Sequence, residues 1–239
     1  MYYQAMGNTK SQNNKFFFIF SDIDGTFMNH TNYSYSILKK YILLLKDNCQ
    51  IIFNSSKTFE EMNELNQSLN LRSPFIVENG ACIFFPKNYN QVLFDKNFFK
   101  HSNYLGYKLT KKNSHSLISE INHLRKKYKF SFFSEVSDFQ LKKITNLNIQ
   151  EIKKSRMRMF TNPLCWEDAQ IKKKQFEKEI NNLGYEISHG GRFLHLCDSF
   201  NKGKAVKKFL KILNLQKKLI YKTISIGDSH NDLSMLEQT

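Results

Sequence analysis

Phe16-Phe17-Phe18-Ile19-Phe20 runs directly into Ser21-Asp22-Ile23-Asp24-Gly25-Thr26, and these residues are the strongest indication of the fold class. Five consecutive apolar residues are too few for a helix and are typical of a buried strand. The two acids follow where that strand runs out into a glycine-containing loop. In an open α/β sheet, ligands bind at the carboxyl ends of the strands. Two carboxylates at that place favour a divalent-metal site in which one acid attacks phosphorus, although a plain Asp/Gly turn is the structural alternative.

The composition is that of a globular protein with a sizeable core. The chain has 239 residues, is 41% hydrophobic, and carries a formal net charge of +15. A basic surface collects phosphates, which raises a nucleic-acid hypothesis. The lysines are spread along the chain, however, with no single basic arm and no aromatic-rich RNA-binding signature. We therefore expect mostly solvated helix faces, some electrostatic help with an anionic substrate, and no nucleic-acid partner.

The four cysteines are isolated from one another in the sequence (Cys49, Cys82, Cys165 and Cys197). This spacing favours reduced thiols over a disulfide framework or a zinc site. No apolar run approaches the ~18–20 residues that span a bilayer. Residues 1–14 are polar, lack the apolar core of a signal peptide, and are predicted to be a disordered leader. We expect a cytoplasmic protein without a membrane partner, either monomeric or a homodimer.

Short apolar runs alternate with helical stripes as far as residue 86. Helices are predicted over 35–45 and 60–69. Strands are predicted over 51–53 and 75–77, with 81–85 pairing nearby. This rhythm predicts an α/β fold whose Rossmann-like core is a parallel sheet with helices on both faces.

The pattern changes in the middle of the chain, where lysine-rich helical segments mix with short strands. This mixture predicts an inserted α+β cap domain over 87–197, with the core formed by 15–86 and 198–239. The α/β rhythm resumes after the insert with a helix and a strand. The predicted segments from residue 87 onward are helices over 114–127, 170–183 and 202–213, and strands over 156–161, 193–196 and 219–226.

The polar clusters after these strands resemble, in order and spacing, the motifs of the haloacid dehalogenase-like phosphatase superfamily. The resemblance covers nearly the whole chain from Phe16 onward, and within the superfamily it is similar to the mannosyl-3-phosphoglycerate phosphatases. The stretches that carry it are Ser55-Ser56-Lys57-Thr58, Pro74-Phe75-Ile76-Val77-Glu78-Asn79-Gly80, Gly190-Gly191-Arg192-Phe193-Leu194-His195-Leu196, Lys202-Gly203-Lys204-Ala205 and Gly227-Asp228-Ser229-His230-Asn231-Asp232.

The resemblance implies a role for each acid. Asp22 would be the nucleophile that forms an aspartyl-phosphate, and Asp24 the general acid and base. A Mg²⁺ ion would be held by the side chains of Asp22 and Asp228 and by the backbone carbonyl of Asp24. Asp232 and Asn231 would support this shell, with Asp232 holding Lys202 or a metal-bound water. A helix N-terminal charge is the alternative for Asp232.

The same resemblance assigns the phosphate-binding groups. Ser55 would donate a hydroxyl hydrogen bond to the phosphate, and Lys202 would supply a positive charge. Without the rest of the motif set, Ser55 or Lys202 would be interpreted as a cap or a surface residue. Lys204 competes with Lys202, but the pattern Lys-Gly-x-Ala puts the functional lysine first.

Substrate specificity has to come from other residues, because the phosphoryl chemistry is shared across the superfamily. A glycosyl-3-phosphoglycerate carries a carboxylate, and Arg192, Arg158 and Lys57 are the basic candidates to meet it. Asn79 and His195 are candidates for sugar hydroxyls. A solvated arginine and a core histidine are the structural alternatives.

Two departures from the family pattern bear on the substrate contacts and on the sheet. Thr161-Asn162-Pro163 stands where relatives tend to show Ser-Glu-Pro. The fold also usually continues beyond the position of Thr239 with a helix, a strand and a terminal helix, so we expect the sheet to lack that support.

Together these features predict a Mg²⁺-dependent phosphomonoesterase. It would convert mannosyl-3-phosphoglycerate to mannosylglycerate, a compatible solute, and phosphate. Glucosyl-3-phosphoglycerate, sucrose phosphate or a broader range of sugar phosphates are the alternative substrates. An inactive anion- or nucleic-acid-binding relative is the alternative of another class, and a receiver-type phospho-acceptor domain is a third possibility that the long insert disfavours.

Overall fold

The structure is a computed structural model that describes residues 16–29, 34–45, 47–190, 193–214 and 221–239. The predicted leader, Arg192 and the first two residues of the predicted strand 219–226 lie outside the described residues. Of the helices in the described part of the chain, none has the length and apolar character needed to cross a bilayer.

Strands and helices alternate through most of the described chain. In chain order the strands are β1 (Phe16–Ser21), β2 (Cys49–Asn54), β3 (Phe75–Val77), β4 (Cys82–Pro86), β5 (Phe98–His101), β6 (Tyr104–Lys108), β7 (Phe130–Phe132), β8 (Leu164–Trp166), β9 (Glu186–Gly190), β10 (Phe193–Cys197) and β11 (Tyr221–Ile226). The α-helices are α1 (Ser36–Leu45), α2 (Phe59–Ser68), α3 (Ser114–Ile121), α4 (Asp138–Thr145), α5 (Ile149–Ser155), α6 (Gln170–Asn182), α7 (Lys202–Asn214) and α8 (Leu233–Leu236), with 3-10 turns at Glu78–Gly80, Asn122–Lys126 and His230–Asp232.

The first sheet has seven strands in the order β11-β1-β2-β3-β4-β6-β5. The strands β11, β1, β2 and β3 are parallel, and β4, β6 and β5 continue the sheet in antiparallel pairs. At the end of β1, Ser21 is in register with Ile226 of β11 and Phe53 of β2. The residues that follow these three strands therefore emerge together at one edge of the sheet.

Helices cover both faces of this sheet, as the alternation of strands and helices along the chain predicted. Ile52 and Phe53 are adjacent in β2 and fully buried, yet they belong to two different core clusters, because successive strand residues point to opposite faces. One cluster contains Met62 of α2, and the other contains Phe209 of α7. The predicted α/β class with a parallel Rossmann-like core is confirmed.

The second sheet has four strands in the order β7-β8-β10-β9, all in antiparallel pairs. Its core includes Phe176 and Ile180 of α6 and Leu117 of α3. The predicted helix 114–127 is α-helical only to Ile121 and continues as a 3-10 turn. This sheet with its helices is the α+β unit that the middle of the chain predicted.

Two assignments in the middle of the chain need correction. Residues 156–161 do not form a strand: α5 ends at Ser155 and the next strand begins only at Leu164. The strands β5 and β6 lie within the predicted insert 87–197, yet they extend the core sheet, because Tyr104–Lys108 pairs with β4. The second sheet begins at Phe130, well after the predicted boundary.

Candidate active site

The candidate site lies where β1, β2 and β11 end, at the edge of the sheet to which their parallel register brings them. Asp22 follows β1, Ser55 follows β2, and Asp228 follows β11 by two residues. Lys202 is the first residue of α7. The structure therefore brings together side chains from the first and last parts of the chain, as the motifs predicted.

Lys202 is buried between two carboxylates. Its Nζ donates to Asp22 Oδ1 at 2.6 Å and to Asp232 Oδ1 at 2.6 Å. The residue is only 2% exposed, and a buried ammonium needs such partners because desolvation of an unpaired charge is costly. The contact between Asp232 and Lys202 that the sequence led us to expect is present.

The other oxygen of Asp232 holds the loop that carries Asp228. Asp232 Oδ2 accepts hydrogen bonds from Asp228 N at 3.2 Å, from Ser229 N at 3.0 Å and from Ser229 Oγ at 3.0 Å. Gly227 permits this close approach, since a Cβ at that position would lie 2.4 Å from Asp232 Cβ. Both oxygens of the fully buried Asp232 are thus engaged by the protein, which suits a supporting residue.

The acid cluster could hold a cation. One carboxylate oxygen from each of Asp22, Asp228 and Asp232 lies within 4.8 Å of the other two. Hard oxygen donors at this spacing fit Mg²⁺, and Thr26 Oγ1 orients Asp228 by donating to its Oδ1 at 2.9 Å. The pKa of Asp22 is raised to about 6, chiefly by burial and also by the charge of Asp232, while Lys202 opposes the rise. A cation beside Asp22 would favour its ionised form.

Asp24 lies apart from this cluster and is paired with Lys57. Lys57 Nζ is 3.1 Å from Asp24 Oδ1 and 3.8 Å from Glu61 Oε1. Asp24 is half-buried, whereas Asp22 is buried. Lys57 therefore neutralises two acids near the site, in addition to being a candidate for a substrate carboxylate.

Two of the predicted substrate-binding side chains are buried and present a polar atom without a hydrogen-bond partner among the described residues: Asn79 Nδ2 and His195 Nδ1. Asn79 is in the left-handed region (φ 61°), and its Oδ1 accepts from Asn231 Nδ2 at 3.4 Å. The pKa of His195 is lowered to about 3, chiefly by burial and in addition by the positive charges of Arg158 and Lys202. A neutral imidazole and an amide with unused capacity suit hydroxyl groups of a ligand.

The loop 156–163 brings Arg158 from the insert to the core. Arg158 Nη2 donates to Ser56 O at 2.9 Å, directly beside the predicted phosphate-binding Ser55. Ser55 itself is buried, and its Oγ accepts from Lys57 N at 3.4 Å. Of the predicted substrate-binding residues, Lys57, Asn79, Arg158 and His195 are thus in or near the site, and Arg192 lies outside the described residues.

Two residues at the site were missed from the sequence. Thr26 orients Asp228, and Glu78 anchors the loop that bears Arg158. Glu78 lies within one of the quoted motifs, next to Asn79, and a buried acid at the end of an apolar strand could have drawn attention to it. Its partners are more than 80 residues away in the sequence, so no local pattern identifies them.

The chain matches known proteins over most of its length. A family model described as haloacid dehalogenase-like hydrolase matches residues 19–239. A glucosyl-3-phosphoglycerate/mannosyl-3-phosphoglycerate phosphatase of Persephonella marina is 31% identical over 222 residues, covering 92% of this chain and 81% of the relative. A protein of the same name from Methanococcoides burtonii is 31% identical over 226 residues, covering 92% and 80%.

The fold has solved counterparts as well. The structure of a haloacid dehalogenase-like hydrolase from B. subtilis superposes with a TM-score of 0.65 at 17% identity, covering 92% of this chain and 86% of that one. At this identity the similarity concerns the fold alone. The family match over nearly the whole chain and the two 31% identical relatives show that this chain belongs to the haloacid dehalogenase-like hydrolases.

Proposed function

We propose that this hydrolase is a Mg²⁺-dependent phosphatase that removes phosphate from mannosyl-3-phosphoglycerate and from its glucosyl analogue. The observation that carries the proposal is Lys202, buried between Asp22 and Asp232 with Asp228 close by. The two relatives named glucosyl-3-phosphoglycerate/mannosyl-3-phosphoglycerate phosphatase support the choice of substrate. The products are phosphate and a glycosylglycerate, a compatible solute.

The reaction proceeds in two steps. An oxygen of Asp22 attacks phosphorus and forms an aspartyl-phosphate, while the ester oxygen leaves and takes a proton from Asp24. Asp24 then accepts a proton from the water that attacks the aspartyl-phosphate, which releases phosphate and restores Asp22. Splitting hydrolysis in this way replaces one difficult step with two easier ones.

The approach of two anions requires positive charge. At ~4 Å and an effective dielectric constant of about 20, each pair of like charges costs roughly 4 kcal/mol. Lys202 offsets part of this cost from its place beside Asp22, and Ser55 donates a hydrogen bond to the phosphate. Asp22, Asp228 and the backbone carbonyl of Asp24 would hold Mg²⁺, which would supply further positive charge at the phosphate.

Residues of the insert and of neighbouring core loops supply the contacts that distinguish substrates. Arg158 carries the positive charge for the glycerate carboxylate, with Lys57 and Arg192 as further candidates. The unpaired polar atoms of Asn79 and His195 are donors or acceptors for sugar hydroxyls. The insert acts as a lid that excludes water during the reaction.

A phosphate-release assay tests the proposal. Purified protein is incubated with mannosyl- and glucosyl-3-phosphoglycerate, hexose phosphates and sucrose phosphate, with Mg²⁺ or with a chelator. We expect Mg²⁺-dependent release from the two glycosylphosphoglycerates and none from Asp22→Asn. Turnover of another ester, with both glycosylphosphoglycerates inert, would contradict the assigned substrate. Absence of all turnover, together with salt-sensitive binding of DNA or RNA, would favour the non-catalytic alternative.

A further inference from the structure

We infer that Glu78 is a positioning residue that holds the loop 156–163 against the core and so fixes Arg158 for recognition of the substrate's carboxylate. This inference rests on the proposed function and adds to it a residue that sets specificity without touching the substrate. It concerns the boundary between the core turn Glu78–Gly80 and the insert.

The Glu78 carboxylate is fully buried, and it receives its hydrogen bonds from one short piece of the insert. Glu78 Oε1 accepts from Met159 N at 2.9 Å, and Oε2 accepts from Phe160 N at 3.2 Å and Thr161 N at 2.7 Å. The Thr161 hydroxyl adds a fourth bond to Oε2 at 2.6 Å. Three successive amides that converge on one carboxylate form an anion-binding turn. The position of Glu78 therefore determines the position of the loop.

Glu78 is itself held rigidly by the core. Glu78, Asn79 and Gly80 all have positive φ, at 50°, 61° and 99°, and two of them are not glycine. Glu78 N donates to Lys57 O at 3.0 Å, and Asn79 N donates to Ser55 O at 2.9 Å. Consecutive left-handed residues are strained, and they persist where the surrounding structure fixes them, often at functional sites. One turn therefore places Asn79 in the site and Glu78 under the loop.

Thr161 links the anchored loop to Arg158. The Thr161 hydroxyl donates to Glu78 and accepts from Arg158 Nε at 3.1 Å and from Nη2 at 3.0 Å. Arg158 Nε is also 3.8 Å from Glu78 Oε2, and the arginine side chain is only 8% exposed. Its Nη1 makes no hydrogen bond within the described ranges, which leaves donors for an incoming anion.

This arrangement separates binding of the carboxylate from phosphoryl chemistry. Glu78 reaches Arg158 directly and through Thr161, whereas Lys202 and the acids at the phosphate are held by other contacts. Loss of the Glu78 anchor should weaken recognition of a carboxylate-bearing ester. It should leave hydrolysis of a small ester without a carboxylate largely intact.

The test compares Glu78→Gln with Glu64→Gln. The first variant keeps the shape of the side chain but removes one acceptor oxygen and the charge. Glu64 of α2 forms an exposed ion pair with Lys154 of α5. The variant Glu64→Gln therefore removes a contact between core and insert that lies away from the site. Both variants are assayed on glucosyl-3-phosphoglycerate and on p-nitrophenyl phosphate, and exchange of the amide hydrogens of 159–161 is followed in each.

For Glu78→Gln we expect KM for glucosyl-3-phosphoglycerate to rise about tenfold to a hundredfold, the range expected for a misplaced hydrogen-bonded charge. KM and kcat for p-nitrophenyl phosphate should change less than about twofold, since Arg158 has no carboxylate there to meet. Exchange at 159–161 should accelerate at least about tenfold, because these amides lose their acceptor. Glu64→Gln should leave the kinetic constants for both esters and the exchange at 159–161 unchanged.

Equal losses on both esters, or unchanged exchange at 159–161, would overturn the inference. If the wild-type protein hydrolyses neither ester, the proposed function fails, and the exchange measurement still decides whether Glu78 anchors the loop. Thr161→Val serves as a second variant if Glu78→Gln does not fold. It removes one bond to Glu78 and the acceptor for Arg158, and the same selective rise in KM is expected.

Discussion

Lys202 places a positive charge in the buried interior of the site. It is buried, and its two partners, Asp22 and Asp232, are buried acids. Without the lysine, two carboxylates would face each other with no countercharge between them. The same ammonium group is the one that meets the phosphate under the proposed function.

We predict that Lys202→Met lowers the free energy of unfolding by about 3–5 kcal/mol, because removing one member of a buried ion-pair network leaves uncompensated charge. It should also abolish phosphate release. Chemical denaturation and the phosphate assay measure the two effects.

Lys204 provides the matched control, because it lies two residues further along α7 and is exposed. Lys204→Met should change neither the free energy of unfolding nor phosphate release. The double variant Lys202→Met, Asp232→Asn should recover part of the stability that Lys202→Met loses, but no activity. A loss of activity in Lys204→Met equal to that in Lys202→Met would contradict this assignment of the functional lysine.

Among the secondary-structure elements, the turn Glu78–Gly80 packs the core sheet against the start of α7. A Cβ on Gly80 would lie 2.3 Å from the backbone oxygen of Asn201, the residue before α7. The backbone of Gly80 also has φ +99°, which L side chains rarely adopt. Close packing and backbone geometry therefore both require glycine here.

Gly80→Ala should destabilise the protein by more than the ~1 kcal/mol typical of placing alanine at a positive φ. Gly184→Ala is the control, because Gly184 has φ +84° and nothing within 4 Å of an added Cβ. Thermal unfolding of both variants separates the cost of the positive φ from the cost of the close contact with Asn201. Equal losses of stability would show that the contact with Asn201 contributes nothing.

The loop 156–163 shows where a local pattern misleads. Polar and apolar residues partly alternate from Arg156 to Thr161, which predicted a strand. The structure buries Phe160 in the core cluster and directs the amides of 159–161 to Glu78. The alternation does not follow burial, because Met157 is exposed whereas the Arg158 side chain is nearly buried. The amides that would pair with a neighbouring strand bond to the Glu78 side chain instead.

At the scale of the whole molecule, the acids of the site come from opposite ends of the chain. Asp22 follows the first described strand, and Asp228 follows the last. A cation held by both binds only the folded protein, so it stabilises the fold by mass action.

We predict that Mg²⁺ at about a hundred times its Kd stabilises the fold by about 2.7 kcal/mol at pH 7.5. The increase in Tm should be much smaller at pH 5. Burial raises the pKa of Asp22 to about 6, so the metal-free folded protein binds more protons than the unfolded chain between about pH 4 and 6. The contribution of Asp22 to stability is therefore present at low pH and is lost as the pH rises through 6. Mg²⁺ has to displace that proton below pH 6.

Differential scanning calorimetry at the two pH values, with and without Mg²⁺, measures this coupling. Asp228→Asn is the control, because it removes one carboxylate of the cluster and should abolish most of the increase at pH 7.5. An equal increase in Tm at both pH values, or a full increase in Asp228→Asn, would argue against a cation shared by Asp22 and Asp228.

The α/β class, most helices and strands, and the placement of acids and serine at strand ends and of Lys202 at the start of a helix follow from the amino-acid pattern alone. Hydrophobic period and the order of the motifs are local properties, so they can be read without a structure. Three features became visible only in the folded structure: Lys202 lies between Asp22 and Asp232, β5 and β6 join the core sheet, and Glu78 anchors the loop bearing Arg158. These contacts join residues far apart in the chain, and burial and long-range packing select them, which no local pattern records.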